Sequence, residues 1–366
     1  MANAFASLRS PFRFATVEMT NYFFVFRKIS IFVIYFEVMK KFLVIQTASI
    51  GDVILATAVA EKLHAYYPDS QIDMMIKKGY ESLFVNHPYL NKVYSWDKKN
   101  HKYRNLFAIM KEVRKQRYDL IVNVQRYAAT GFLTVFGKAK ETAGFNKNPF
   151  SCFFTHKIKH EIGVKGVHEV DRNQKLIEHI TDNKPMRPAL YPCKEIFEKV
   201  ECYKSERYIC VAPCSLWFTK QFPEDRWVEF LKLVPDDLKV YLLGGRDDIA
   251  ICDRIISNVP GKRIESLAGK LNLLESAALM KDAKMCYVCD SSPMHLASSQ
   301  NAPTTAIFCS TVADFGFGPL SEDSVVVEER SNLDCRPCGL HGYRQCPKGH
   351  FNCAYFIDIK ELTDRL

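Results

Sequence analysis

The residues best suited to chemistry in this chain stand just beyond its apolar runs. Asp290, Ser291 and Ser292 follow the run 285–289, and Pro293 then opens a stretch with helical spacing that carries His295. A strand, a tight turn and a helix start leave the first amides of the helix unpaired, with the positive end of its dipole behind them, which suits a phosphate. An N-capped helix after a buried strand would read the same way, since Pro costs nothing in a first turn. Ser49, Gly51 and Asp52 follow the run 42–46. That places Asp52 on the first turn of a helix at the carboxyl edge of a central strand, where ligands bind in open α/β sheets, although Asp is also an ordinary helix cap there. Gly244 and Gly245 end the run 238–243, where a glycine turn permits close ligand approach. Cys335, Cys338, Cys346 and Cys353 span 19 positions and offer a tetrahedral thiolate set for structural zinc or iron; buried or reactive thiols are the alternative. No open coordination position is evident among them, so a catalytic metal is not expected.

The elements that must position these groups alternate. Strands are predicted at 42–46, 71–76, 92–94 and 120–124, with an amphipathic helix from the turn 47–52 to about 67 and further helices at 103–116, from Gln125 through 136, and at 168–180. Residues 182–192 turn rich in Pro and polar side chains, which marks a domain boundary with the linker ending near 206. The pattern then restarts, with strands at 208–212, 238–243, 285–289 and 304–308, the last closing the sheet. Helices are predicted from 224, at 247–259, at 273–281 and near 358–366. The reading is α/β: two Rossmann-like domains in tandem, 39–190 and 206–334, followed by a cysteine-rich segment and helix at 335–366. A cleft between two such domains is a natural ligand site.

Composition agrees with a globular chain of 366 residues, 48% hydrophobic and 25% charged. The net charge of +9 favours an anionic partner, and no Lys/Arg block with interleaved aromatics points to a nucleic acid polymer. Thirteen Cys without a cleavable signal peptide suggest a reducing cytoplasm. Residues 21–38 are aromatic and apolar, but Arg27, Lys28 and Glu37 interrupt them, so they fall short of a membrane span. An interfacial anchor, an added packing element, or leader upstream of a start at Met39 are the three readings of this N-terminal extension, 1–38.

From Met39 onward the chain resembles the family 9 glycosyltransferases, the ADP-heptose:lipopolysaccharide heptosyltransferases. The resemblance rests on LVIQTASIGDVILATA (43–58), YDLIVNVQ (118–125), HEVDRN (168–173), TKQFPEDRW (219–227), LLGGRDD (242–248), CDSSPMHLA (289–297) and the closing cysteines, in that order. It implies the GT-B arrangement, in which two facing domains hold the acceptor in the first and the nucleotide-sugar in the second. It implies that Asp52 is the base taking the proton of the acceptor hydroxyl, with Ser49, Gly51 and Gln125 on the acceptor side. Lys220 matches a lysine facing the diphosphate, where a fixed ammonium stabilises the charge that builds as ADP departs. Ser291 and Ser292 match the phosphate-binding helix start, Asp290 and His295 its flanks, Asp247 an acidic residue near the ribose, and Ser215 and Thr219 stand as phosphate donors. Ser292, Asn123 and Cys214 depart from the Gly, Asp and small residues usual at their positions. The expected function is inverting transfer of heptose from ADP-heptose to a lipid-linked core saccharide of lipopolysaccharide. It needs no catalytic cofactor and takes place in the cytoplasm, in peripheral contact with the inner membrane. Two alternatives stand beside it: a protein heptosyltransferase of the autotransporter type with a structural metal, and a non-catalytic nucleotide-binding or interaction protein.

Overall fold

The computed structural model describes residues 39–366, and the expectations for residues 1–38 lie outside the described residues. The first half supplies strands β1 (Lys41–Ile45), β2 (Gln71–Lys77), β3 (Leu90–Trp96), β4 (Leu120–Asn123), β5 (Glu141–Phe145) and β6 (His156–Ile158). Its helices are α1 (Ile50–Tyr66), α2 (Lys102–Gln116), α3 (Ala128–Phe136) and α4 (Glu169–Gln174). After α5 (Lys194–Val200), the second half supplies β7 (Tyr208–Ala212), β8 (Lys239–Leu242), β9 (Ile264–Ser266), β10 (Cys286–Cys289), β11 (Thr304–Phe308) and β12 (Ser324–Glu328). Interleaved with them are α6 (Glu224–Leu233), α7 (Ile249–Ser257), α8 (Leu273–Lys281) and α9 (Ser292–Ser299), and the chain closes with the short α10 (Asn352–Tyr355) and α11 (Lys360–Thr363).

The two sheets are β3-β2-β1-β4-β5-β6 and β12-β11-β10-β7-β8-β9, and every pairing is parallel. Counted from its own first strand, each has the doubly wound order, so strand order reverses between β1 and β4 and again between β7 and β10. Apolar strands such as KFLVI and YICVA form there because helices cover both faces of a parallel sheet. Helix α1 is not amphipathic as expected: it is apolar nearly all round and buried from Val53 to Ala60, so it lies between layers rather than at the surface. Pro68 follows its end, and the residue before a proline resists helical backbone.

One hydrophobic core runs through both halves, joining Val44, Val59 and Val122 to Cys210, Val288 and Ala297. Helix α1 packs against α9 and α4. No helix among the described residues is long and apolar enough to cross a membrane.

Several expectations need correction. The strand at 304–308 does not close its sheet, because β12 flanks it. The predicted helix 168–180 stops at Gln174, and Glu178–Ile180 is a separate 3-10 turn. The predicted helix 247–259 begins as the 3-10 turn Arg246–Asp248 before α7. The linker contains α5, whose Ile196 and Val200 join the core that holds Leu274 and Ala278 of α8. In the tail 335–366, Phe351, Ile357 and Leu362 pack with Trp227 and Phe230 of the second half. Within it only Lys360–Thr363 of the predicted helix 358–366 is α-helical.

Candidate active site

Both switch points carry the residues singled out by type. At the first, Ser49 and Asp52 form a capping box across the start of α1: the Ser49 hydroxyl lies 2.6 Å from Asp52 Oδ2, and the Ser49 N–H donates to the same oxygen at 3.2 Å. The capping reading is therefore correct as structure, and it also fixes the carboxylate, half-exposed, at the carboxyl edge of β1. Gln125 is committed inside the protein. It accepts from the Thr47 hydroxyl at 2.7 Å and donates to Gln46 at 2.6 Å, so it braces the β1 and β4 ends instead of facing a ligand.

At the second switch point, Lys220 Nζ pairs with Asp290 Oδ2 at 2.7 Å, and the Thr311 hydroxyl donates to that oxygen at 2.6 Å. An ammonium has three donors, so one bond to Asp290 aims Lys220 and leaves others for a bound anion. Ser291 is the N-cap of α9 with Pro293 in the first turn, and its hydroxyl lies 3.3 Å from the Cys214 carbonyl, tying this turn to the loop after β7. Ser215 and Ser292 are partly exposed beside it. Thr219 is not free: its Oγ1 accepts from the Tyr343 N–H at 2.7 Å and from Ser310 Oγ at 3.0 Å, which makes it an anchor for the chain after β12. Asp247 is exposed beyond β8, while its neighbour Asp248 clamps the Gly245 N–H at 2.7 Å.

Gly51 and His295 bring the two edges together. A Cβ built on Gly51 would stand 2.7 Å from His295 Cδ2, so only glycine permits this approach of α1 to α9. Gly51→Ala is expected to destabilise the chain by roughly 1–3 kcal/mol through overpacking. Thermal unfolding checks this, and an unchanged melting temperature would mean that the two helices part freely.

His295 is buried, and its pKa is pushed down to about 3, first by desolvation and then by the neighbouring His168 and Lys220. The ring is thus neutral at physiological pH, and its Nδ1 has no hydrogen-bond partner among the described residues.

Residue types alone did not single out a joint beside this site. His168 caps α4 by accepting from the Val170 N–H and spans to the Gly318 carbonyl at 3.1 Å, with its pKa lowered to about 4 by burial. Arg172 binds Glu169 at 2.8 Å and the carbonyls of Val167 and Phe315, crossing between the halves. Burial raises the Glu169 pKa, Arg172 opposes that, and the charge of Asp52 raises it further, which locates the joint near Asp52. The available signal was the i, i+3 spacing of Glu169 and Arg172 inside HEVDRN. Lys98 was also missed. Its Nζ donates to the Thr47 carbonyl at 2.6 Å, and burial followed by Lys77 and Lys102 lowers its pKa to about 8.

The four C-terminal cysteines share a neighbourhood, since Cys335, Cys338 and Cys346 all raise the pKa of Cys353 after burial does. They do not converge as a metal site, because no three of their sulfurs lie within 4.8 Å of one another. Cys353 sits in the apolar core, and Cys338 Sγ faces the Cys335 carbonyl at 3.2 Å. As arranged, they do not fit a closed tetrahedral thiolate centre.

Two doubly wound sheets meeting at their carboxyl edges, with a carboxylate on one and a lysine beside a helix start on the other, form the GT-B architecture. The family model for glycosyltransferase family 9 (heptosyltransferase) matches residues 106–343, and the chain belongs to that family. Among curated proteins it is similar to lipopolysaccharide heptosyltransferase 3 of Escherichia coli K12, 26% identical over 286 residues, covering 71% of this chain and 80% of the relative. Among solved structures it is similar to the E. coli ADP-heptose lps heptosyltransferase II, with TM-score 0.72 and 19% identity, covering 89% of this chain and 97% of that one. It also matches the dodecameric iron-containing heptosyltransferase TibC, from enterotoxigenic E. coli, with TM-score 0.53 and 14% identity over 94% of this chain and 79% of that one.

Proposed function

We propose that this glycosyltransferase moves heptose from ADP-heptose to a lipid-linked core saccharide of lipopolysaccharide, with inversion, at the cytoplasmic face of the inner membrane. The observation that carries the reading is the contact of Gly51 with His295, beside Asp52 on one side and the Lys220–Asp290 pair on the other. An acceptor hydroxyl attacks the anomeric carbon while Asp52 takes its proton. The bond from that carbon to the diphosphate oxygen breaks, and ADP leaves with the electron pair. Lys220, the α9 start with Ser291 and Ser292, and Ser215 stabilise the charge that grows on the diphosphate. Asp247 takes the ribose, and Lys98 offers a cation to an anionic acceptor. The family relatives named for lipopolysaccharide support this choice of acceptor.

The test incubates the purified chain with ADP-heptose and heptose-deficient core lipopolysaccharide, following ADP release and the mass of the acceptor. Acceptor-dependent release with addition of one heptose is expected. Consumption of another nucleotide-sugar, with ADP-heptose untouched, would overturn the donor assignment.

A further inference from the structure

Glu141, His156 and His179 bring one carboxylate oxygen and two imidazole nitrogens within 4.8 Å of one another, the only three-ligand group of this kind among the described residues. Strand pairing sets two of them. Ala143 of β5 stands opposite His156 of β6, and Glu141, two residues before Ala143, projects from the same face. His179 arrives on the 3-10 turn Glu178–Ile180 and stacks on His156, with ring centroids 3.6 Å apart and planes at 25°.

Both Nε2 atoms face the same oxygen: Glu141 Oε2 lies 3.0 Å from His156 and 3.6 Å from His179. Tetrahedral zinc with bonds of about 2.0–2.1 Å separates its ligand atoms by about 3.3 Å, and the two oxygen-to-nitrogen spacings straddle that value. The neighbouring cation does not compete for the carboxylate, because Lys140 is held by Asp119 at 2.7 Å. Glu141 and His179 remain open to solvent, which leaves an entry path and room for a water as fourth ligand.

We propose that Glu141, His156 and His179 form a binding site for one divalent metal ion of the imidazole-preferring kind, zinc above all. Glu141 and His156 lie at the amino ends of their strands, the opposite edge from Asp52. The ion would therefore fasten β5 and the edge strand β6 to the start of the connector that leads into the second half, and take no part in transfer.

The full chain, freed of metal with a chelator, is titrated with Co²⁺ and Zn²⁺. One Co²⁺ per chain is expected, with weak visible bands and no intense thiolate-to-cobalt absorption. Zn²⁺ should raise the melting temperature. His156→Ala and His179→Ala, at partly exposed positions and expected to fold, should each weaken binding by at least about tenfold and abolish the thermal shift. Cys335→Ser should leave both unchanged. Absence of binding at millimolar metal, binding that survives both histidine substitutions, or an intense thiolate band would overturn the site.

Discussion

Asp52→Asn is expected to cut turnover by about 10²–10⁴-fold, the usual contribution of a general base, while ADP affinity stays within a few-fold of the native chain. The substitution removes the proton acceptor and little else. An Asn Oδ1 can still accept from the Ser49 N–H and hydroxyl, so most of the capping box survives, and the helix start loses no more than about 1 kcal/mol. Steady-state kinetics with ADP-heptose, set beside calorimetric ADP binding and a melting curve, separate the two roles that Asp52 combines. Parallel losses of ADP affinity, turnover and stability would reduce Asp52 to a helix cap.

Lys220→Met should lower kcat/KM by about 10²–10³-fold, the size measured when one preorganised donor is removed from a developing anion. This variant carries a structural penalty as well. Asp290 is nearly buried and would keep only the Thr311 hydroxyl as partner, and stranding a buried charge costs up to roughly 3–5 kcal/mol. The double variant Lys220→Met with Asp290→Asn separates the effects, since it removes both charges and leaves an amide oxygen for Thr311. It should regain most of the lost melting temperature and none of the lost turnover. Recovery of activity along with stability would show that Lys220 serves only to neutralise Asp290.

Much of this site was legible before any coordinates, because apolar runs and the residues after them are local properties. The runs that became β1, β4, β7, β8, β10 and β11 are nearly continuous in branched and aromatic side chains, so their carboxyl ends, and with them Asp52, Asp290 and Gly244, could be located to within a residue. The strands that escaped are short or broken in pattern. β5 is Glu-Thr-Ala-Gly-Phe, β6 has three residues with none fully buried, β9 is Ile-Glu-Ser, and β12 is an edge strand flanked by Ser324 and Glu328. Each owes its conformation to a neighbour distant in the chain rather than to its own periodicity.

What the amino-acid order determined, then, was the alternating α/β plan, the family resemblance, and which residue types stand at strand ends. Tertiary structure alone decided which of those side chains are free. Thr219 and Gln125 had the right chemistry and the right positions, yet Tyr343, Ser310, Thr47 and Gln46 consume their hydrogen-bonding capacity. The cysteine spacing suited a tetrahedral site, but packing of Phe351 and Ile357 holds Cys353 in the core. Conversely, Glu141, His156 and His179 lie up to 38 positions apart and form no motif, and only sheet pairing and one 3-10 turn collect them. The physical reason is common to all these cases: a side chain's chemistry is intrinsic, whereas its availability depends on the groups that folding places across from it, and those come from elsewhere in the chain.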